Sequence, residues 1–178
     1  VATLTATGYT FIYVFNDDAK NPYFPLTVKE ALNHISSQPV GQQLLTAISN
    51  SPVVPDASGF KVKIVRPNVA ATIGTPGAEG GSRAVAFDEA AAKGGGGSKA
   101  ACYWNPNIVA TPGGGGTRPA YIGLAHELVH CMHYVLGTAK NSYDDEEKFT
   151  VGLAPYDTVA VCENTIRAEH NIALRATY

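Results

Sequence analysis

The spacing of apolar and polar positions along the chain changes period several times, and each period predicts an element. Residues 9–15 are aromatic and β-branched and are closed by Asn16-Asp17-Asp18, which predicts a strand and a turn. Pro22 and Pro25 punctuate the next stretch. Thr27-Val28-Lys29-Glu30 has the pattern of a capping box, opening a helix with Ala31, Leu32 and Ile35 inward and His34 on its surface. Pro39-Val40-Gly41 interrupts that pattern, and residues 42–48 are expected as a second short helix with Leu44, Leu45 and Ile48 inward. Residues 60–65 alternate apolar and basic side chains, the signature of a half-buried strand. Gly, Pro, Ala and Thr dominate 67–81, a predicted loop, and 84–87 is a further short strand. Residues 89–98 (Glu89-Ala90-Ala91-Ala92-Lys93, then four glycines and Ser98) join a helical to a flexible linker composition and are expected as a surface loop without chemistry. Ala101-Cys102-Tyr103-Trp104-Asn105 is a strand ended by Pro106.

The stretch after it is different. Tyr121-Ile122-Gly123-Leu124-Ala125 and Cys131-Met132 make a helix apolar on most sides, so it is predicted to be buried. A glycine-rich loop at 113–116 precedes it, Thr117-Arg118-Pro119 is expected to cap it, and Gly137 to stop it. Into this helix fall His126, Glu127 and His130. Residues four apart project from one face about a turn apart, so both imidazoles can reach one Zn²⁺. Glu127, one step round, can reach a water at the metal without taking a ligand position. Three buried polar groups would each cost desolvation energy without partners, and one metal ion answers all three.

A catalytic zinc usually takes three protein ligands. His133 rises roughly 10 Å above His126 along a continuous helix, too far to share an ion with both histidines. The metzincin pattern HExxHxxGxxH is absent, since His133 and Leu136 stand where it needs a glycine and a third histidine. Carboxylates remain. Ser142 can cap a helix whose first turn holds Asp144, Asp145, Glu146 and Glu147 and which runs into apolar Phe149. Glu163, on a further helix expected after an Asp157 cap, is the rival.

Composition narrows the function classes. At 178 residues, 45% hydrophobic and 16% charged, the chain fits one globular domain. A formal charge of −2 with no basic stripe argues against nucleic-acid binding, and no run approaches the length of a membrane span. No signal peptide is read in the chain, and Val1 suits a chain from which a leader or a larger parent was removed. Cys102, Cys131 and Cys162 are odd in number and widely spaced, which suits buried reduced thiols.

The segment from His126 to Gly137 resembles the zinc helix of clostridial neurotoxin light chains, including a histidine at the position of His133 that is not a ligand there. Glu146-Glu147-Lys148-Phe149-Thr150-Val151-Gly152 is similar to their Glu-Glu-x-x-Thr-x-Gly segment, and Arg175-Ala176-Thr177-Tyr178 to their Arg-x-x-Tyr pair. Over about the last 80 residues the order of motifs resembles the NleD-like effector family of zinc metallopeptidases: Asn105-Pro106, the HExxH helix, the Glu-Glu segment, Glu163-Asn164-Thr165-Ile166-Arg167 and the final tetrapeptide. Lys148-Phe149 departs from the Leu-Arg usual there. The resemblance implies His126, His130 and Glu147 as ligands of one zinc, Glu127 as base, Glu146 and Glu163 behind the ligands, and Arg175 and Tyr178 at the reacting oxygen.

The expectation is a compact α+β zincin-like domain over 1–178, with a mixed, mainly antiparallel sheet and a buried zinc helix. It would be a monomeric zinc endopeptidase acting on a host or target-cell protein, secreted or delivered there as a soluble effector or toxin, with no nucleic-acid or membrane partner. The peptide would bind by strand addition near Ala101-Cys102-Tyr103-Trp104-Asn105, read as the sheet edge. The rivals are a non-enzymatic binding module on the same fold and a zinc hydrolase of a non-peptide substrate. Intact Glu127 speaks against the first.

Overall fold

A computed structural model describes residues 3–16, 21–67, 81–112 and 116–178. The expected turn at Asp17-Asp18, most of the loop at 67–81 and the glycines at 113–115 lie outside the described residues. Among the described residues, five strands and six helices are defined: β1 (Thr3–Ala6), β2 (Ile12–Asn16), α1 (Phe24–Ser36), α2 (Pro39–Asn50), β3 (Val62–Val65), β4 (Arg83–Ala86), α3 (Glu89–Lys93), β5 (Ala100–Tyr103), α4 (Ala120–Leu136), α5 (Tyr143–Val151) and α6 (Glu163–Glu169). The fold is α+β. No described helix is long and apolar enough to cross a membrane.

The sheet order is β1-β2-β3-β5-β4. β1/β2 and β4/β5 are antiparallel, β2/β3 and β3/β5 parallel, so the mixed sheet is evenly divided rather than mainly antiparallel. β5 lies between β3 and β4, and both of its edges are paired. Strand addition near Ala101 to Asn105 is therefore closed. Among the described residues, the sheet edge beside the site belongs to β4.

Local chemistry explains where the elements begin. The first predicted strand is shorter than its β-prone run because Phe11 turns to φ 63°, and its carbonyl accepts from the amides of Lys61 and Val62. β1, ahead of it, was not anticipated. α1 starts at Phe24 with Pro25 in its first turn, so the Thr27 box is not the cap: the Thr27 hydroxyl bonds back to the Tyr23 carbonyl at 3.2 Å. Pro39 likewise opens α2 instead of breaking the chain, and the Glu169 carboxylate takes the Val40 and Gly41 amides at 2.7 and 2.9 Å. A Cβ on Gly41 would stand 1.8 Å from the Ile35 carbonyl oxygen, so glycine sets the closeness of α1 and α2.

Ile12, Val14, Val62, Ile64, Ala100 and Cys102 bury their side chains against α1, α2 and α4, with Trp104 filling the end of the layer and donating to the Ala120 carbonyl at 3.2 Å. α4 is buried almost throughout its length. Its N-cap is Pro119, with no side-chain cap, and Gly137 closes it in the left-handed conformation as expected. Residues 89–98 remain at the surface but are not a free linker. Asp88 caps α3, Ala92 is buried, and the amides of Gly95 and Ser98 bond to the carbonyls of Gly137 and Tyr134 at the end of α4.

Candidate metal centre

α4 brings His126 and His130 onto one buried face, and α5 lies across it. Ser142 caps α5 by accepting from the Asp145 amide, so the acidic first turn forms where the helix dipole favours it. That turn aims Glu147 at the two histidines. His126 Nε2 and His130 Nε2 are 3.3 Å apart, His126 Nε2 to Glu147 Oε2 is 3.3 Å, and His130 Nε2 to Glu147 Oε1 is 3.3 Å. Glu147 Oε2 is buried and makes no hydrogen bond.

The far nitrogens of both rings are held by carboxylates. His126 Nδ1 lies 2.7 Å from Glu163 Oε2, and His130 Nδ1 lies 3.0 Å from Glu146 Oε1. An ionised carboxylate only accepts, so both Nδ1 atoms carry hydrogen and the neutral rings turn two lone pairs toward each other and toward Glu147. That arrangement suits a cation. The edge of a tetrahedron with zinc–ligand bonds of about 2.0–2.1 Å is about 3.3–3.4 Å, the separation of the two imidazole nitrogens from each other and of each from one Glu147 oxygen. Without an ion, protons take its place: burial pulls both histidines down, but the carboxylates outweigh it, raising His126 and pushing His130 up to about 10.

The carboxylates behind the rings are themselves anchored. Glu163, fully buried, accepts from Arg167 Nε at 2.7 Å, Arg175 Nη1 at 3.0 Å and Arg118 Nη1 at 3.4 Å. Burial opposes its ionisation, yet His126 and the arginines hold it well below the usual carboxylate range. It lies on the outer nitrogen of His126, so it is not drawn toward the three converging atoms. The expected Asp157 cap lies several residues too early, since Cys162 is the N-cap of α6. Glu146 accepts from His133 Nδ1 at 2.8 Å, the Lys140 amide at 2.8 Å and the Thr150 hydroxyl at 3.3 Å, and these bonds with His130 hold it down to about 2 against burial. His133 stacks on Phe149 at 4.0 Å. His130, His133 and Glu146 also lie close enough to form a ligand group. However, both rings meet one Glu146 oxygen at hydrogen-bond distance, which fits outer support rather than an ion.

Glu127 is buried at the floor of a cavity of about 420 Å³ that His126, His130, Glu147, Arg118, Arg175, Tyr143 and Tyr178 also line, with Ser82, Arg83 and Ala84 of the β4 edge on one side. Burial raises the Glu127 carboxyl above its ordinary value. Arg175 is buried, and Asn164 clasps its backbone through Arg175 N–H to Oδ1 at 2.8 Å and Nδ2 to the Arg175 carbonyl at 3.0 Å. Its Nε has no hydrogen-bond partner. The Tyr178 hydroxyl meets that of Tyr143, and the Arg175 guanidinium lies 5.5 Å from the Tyr178 ring centre. All eight predicted site residues thus fall in one neighbourhood. Sequence reasoning gave no role to Tyr143 or Thr150 and did not place Arg118 and Arg167 on Glu163, although the four-residue spacing of Glu163 and Arg167 was a signal for the second.

Comparison with solved structures finds the botulinum neurotoxin type D light chain, at TM-score 0.52 and 15% identity, covering 76% of this chain and 47% of that one. The type G light chain gives TM-score 0.49 and 15% identity, covering 72% and 44%. This chain thus spans less than half the length of either, and the likeness to the type D chain speaks to fold alone. No curated protein matches the chain. A family model, Peptidase_M91, described as an effector protein, matches residues 14–178, nearly the whole chain and every residue of the centre just described. The chain belongs to the Peptidase_M91 family of effector proteins.

Proposed function

We propose that this enzyme holds one catalytic zinc on His126 Nε2, His130 Nε2 and Glu147, and hydrolyses a peptide bond of a target-cell protein. The observation that supports it most is the set of three donor separations of 3.3 Å closed by a carboxylate, with both imidazoles fixed from behind. Zinc, when bound, would supply a Lewis acid that acidifies water and polarises the scissile carbonyl. Glu127 takes the proton of the attacking water and returns it to the departing amine, and its raised affinity for protons suits a base that must also act as an acid. Glu163 and Glu146 keep His126 and His130 in the Nδ1–H tautomer. Arg175 and Tyr178 face the same cavity and donate to the carbonyl oxygen as it gains negative charge. An extended substrate lies along β4, the outer strand of the described sheet, whose residues line that cavity. Membership of an effector family supports delivery of the enzyme into the cell where its substrate resides.

Metal analysis is expected to give about one zinc per chain, lost in Glu147→Ala and retained in Glu163→Gln; the reverse pattern would move the ligand role to Glu163. Cleavage of a proteome-derived peptide library should require zinc and stop with chelator. Glu127→Gln should keep metal and fold and abolish that cleavage, and a near-normal rate in this variant would remove Glu127 from the base role.

A further inference from the structure

We infer that Tyr143 is a positioning residue for Tyr178, an inference that rests on the catalytic use of the Tyr178 phenol proposed above. Tyr143 is the first residue of α5, and Glu147 follows it by four positions. The helical turn that aims the Glu147 carboxylate at the histidines therefore projects the Tyr143 ring over the same cavity. A tyrosine 68% exposed ordinarily carries no structural duty. This one hydrogen-bonds the hydroxyl of Tyr178, with the rings edge to face at 5.8 Å.

Residues 176–178 need that hold. The backbone is pinned at Arg175 by Asn164, and Arg175 Nη1 is committed to Glu163, but Ala176, Thr177 and Tyr178 are exposed beyond that clasp. Tyr178 is then steadied by the Arg175 guanidinium behind its ring and by Tyr143 at its hydroxyl. A phenol donates one hydrogen bond and accepts others. With Tyr143 as donor, Tyr178 keeps its own proton for the substrate oxygen, and accepting one bond strengthens the other it donates. Tyr143 also lines a second cavity of about 380 Å³ along β4 with Val85, Lys93 and Ser142, so it borders both cavities.

The test is Tyr143→Phe, which deletes one exposed hydroxyl. The rate is read on a fluorogenic version of the best-cleaved library peptide, and hydrogen–deuterium exchange is followed in the zinc-loaded protein. The expected result is a fall in kcat of roughly tenfold, the scale of one hydrogen bond, with KM within about twofold. Zinc content should be unchanged, exchange at the amides of 176–178 faster, and the double variant with Tyr178→Phe no worse than Tyr178→Phe alone. A raised KM with normal kcat, unchanged exchange at 176–178, or additive losses in the double variant would overturn the inference. A wild-type rate in Tyr178→Phe is a separate failure: it removes the catalytic use of the phenol itself, and it is seen without touching Tyr143.

Discussion

The centre has two sides, each built on a buried glutamate that grips the outer nitrogen of one histidine, and the two are constructed differently. On the His126 side, Glu163 is surrounded by Arg118, Arg167 and Arg175. On the His130 side, Glu146 meets His133, the Thr150 hydroxyl and the Lys140 amide. Each carboxylate orients a ring, but what else it does depends on its company. Glu163 neutralises cations drawn from the approach to α4, from α6 and from the segment after it, so it ties distant segments together around a charge. Glu146 joins neighbouring residues of α4 and α5 and the loop between them through groups that need no counter-charge. Similar contacts with a histidine thus serve assembly of the whole site on one side and local tuning on the other.

Glu163→Ala should have the largest effect, because it leaves three buried guanidiniums unpaired. A loss of about 3–5 kcal/mol in chemical denaturation is the expected scale for breaking such a network. A loss under about 1 kcal/mol, the scale of an exposed pair, would mean the two sides are alike after all. Glu146→Gln keeps size and most acceptor capacity, so the fold should survive while zinc affinity falls about 10–100-fold, the usual cost of disturbing a group behind a ligand. Competition with a chromophoric chelator would measure it, and unchanged affinity would leave Glu146 purely structural. His133→Ala should cost about 1–3 kcal/mol through the lost stack on Phe149 and the freed Glu146 bond, with zinc stoichiometry intact.

A further effect is on pH. Protonated His126 and His130 stabilise the metal-free fold fully below the ordinary histidine value of 6.5, and that contribution is lost as pH rises toward about 10. Ionised Glu146 stabilises it above the ordinary 4.5, a contribution lost as pH falls toward about 2. Metal-free Tm should therefore be highest between roughly 4.5 and 6.5 and fall on both sides. Zinc must displace the ring protons, so its affinity should climb with pH, with proton release visible by calorimetry in buffers of different ionisation enthalpy. A pH-independent affinity would show that the metal-free rings are neutral.

The chemistry of this site was more legible than its frame. His126, Glu127 and His130 are fixed by helical spacing alone, and a helix buried on all sides makes their presence meaningful. Glu147, Glu146, Glu163, Arg175 and Tyr178 came from the order of short motifs, because they reach the centre by tertiary packing that no local period encodes. Glu147 was preferred to Glu163 only through the resemblance, and local spacing left both open; the fold puts Glu147 beside the inner nitrogens and Glu163 on an outer one. The edge strand was misjudged for a related reason: β4 precedes β5 in sequence yet pairs outside it, and a strand order that doubles back leaves no trace in alternation. The starts of α1 and α2 were missed because proline was read as a breaker where it sits in the first turn.

The glycine run beside α4 looks interchangeable in sequence, and its contacts say otherwise. A Cβ on Gly95 or Gly96 would meet at most ordinary contact, although Gly95 has a φ of 86° that disfavours side chains. One on Gly97 would stand 2.5 Å from the Val135 carbonyl oxygen, and one on Gly137 would stand 2.5 Å from the Gly95 carbonyl carbon. A saturation library across 94–97 should then be permissive at Gly96 and closed at Gly97, a boundary drawn inside a repeat of identical letters. Exchanging this segment for a spacer of the same composition but different length would shift that boundary off the helix end, so the repeat has a register although its letters do not vary.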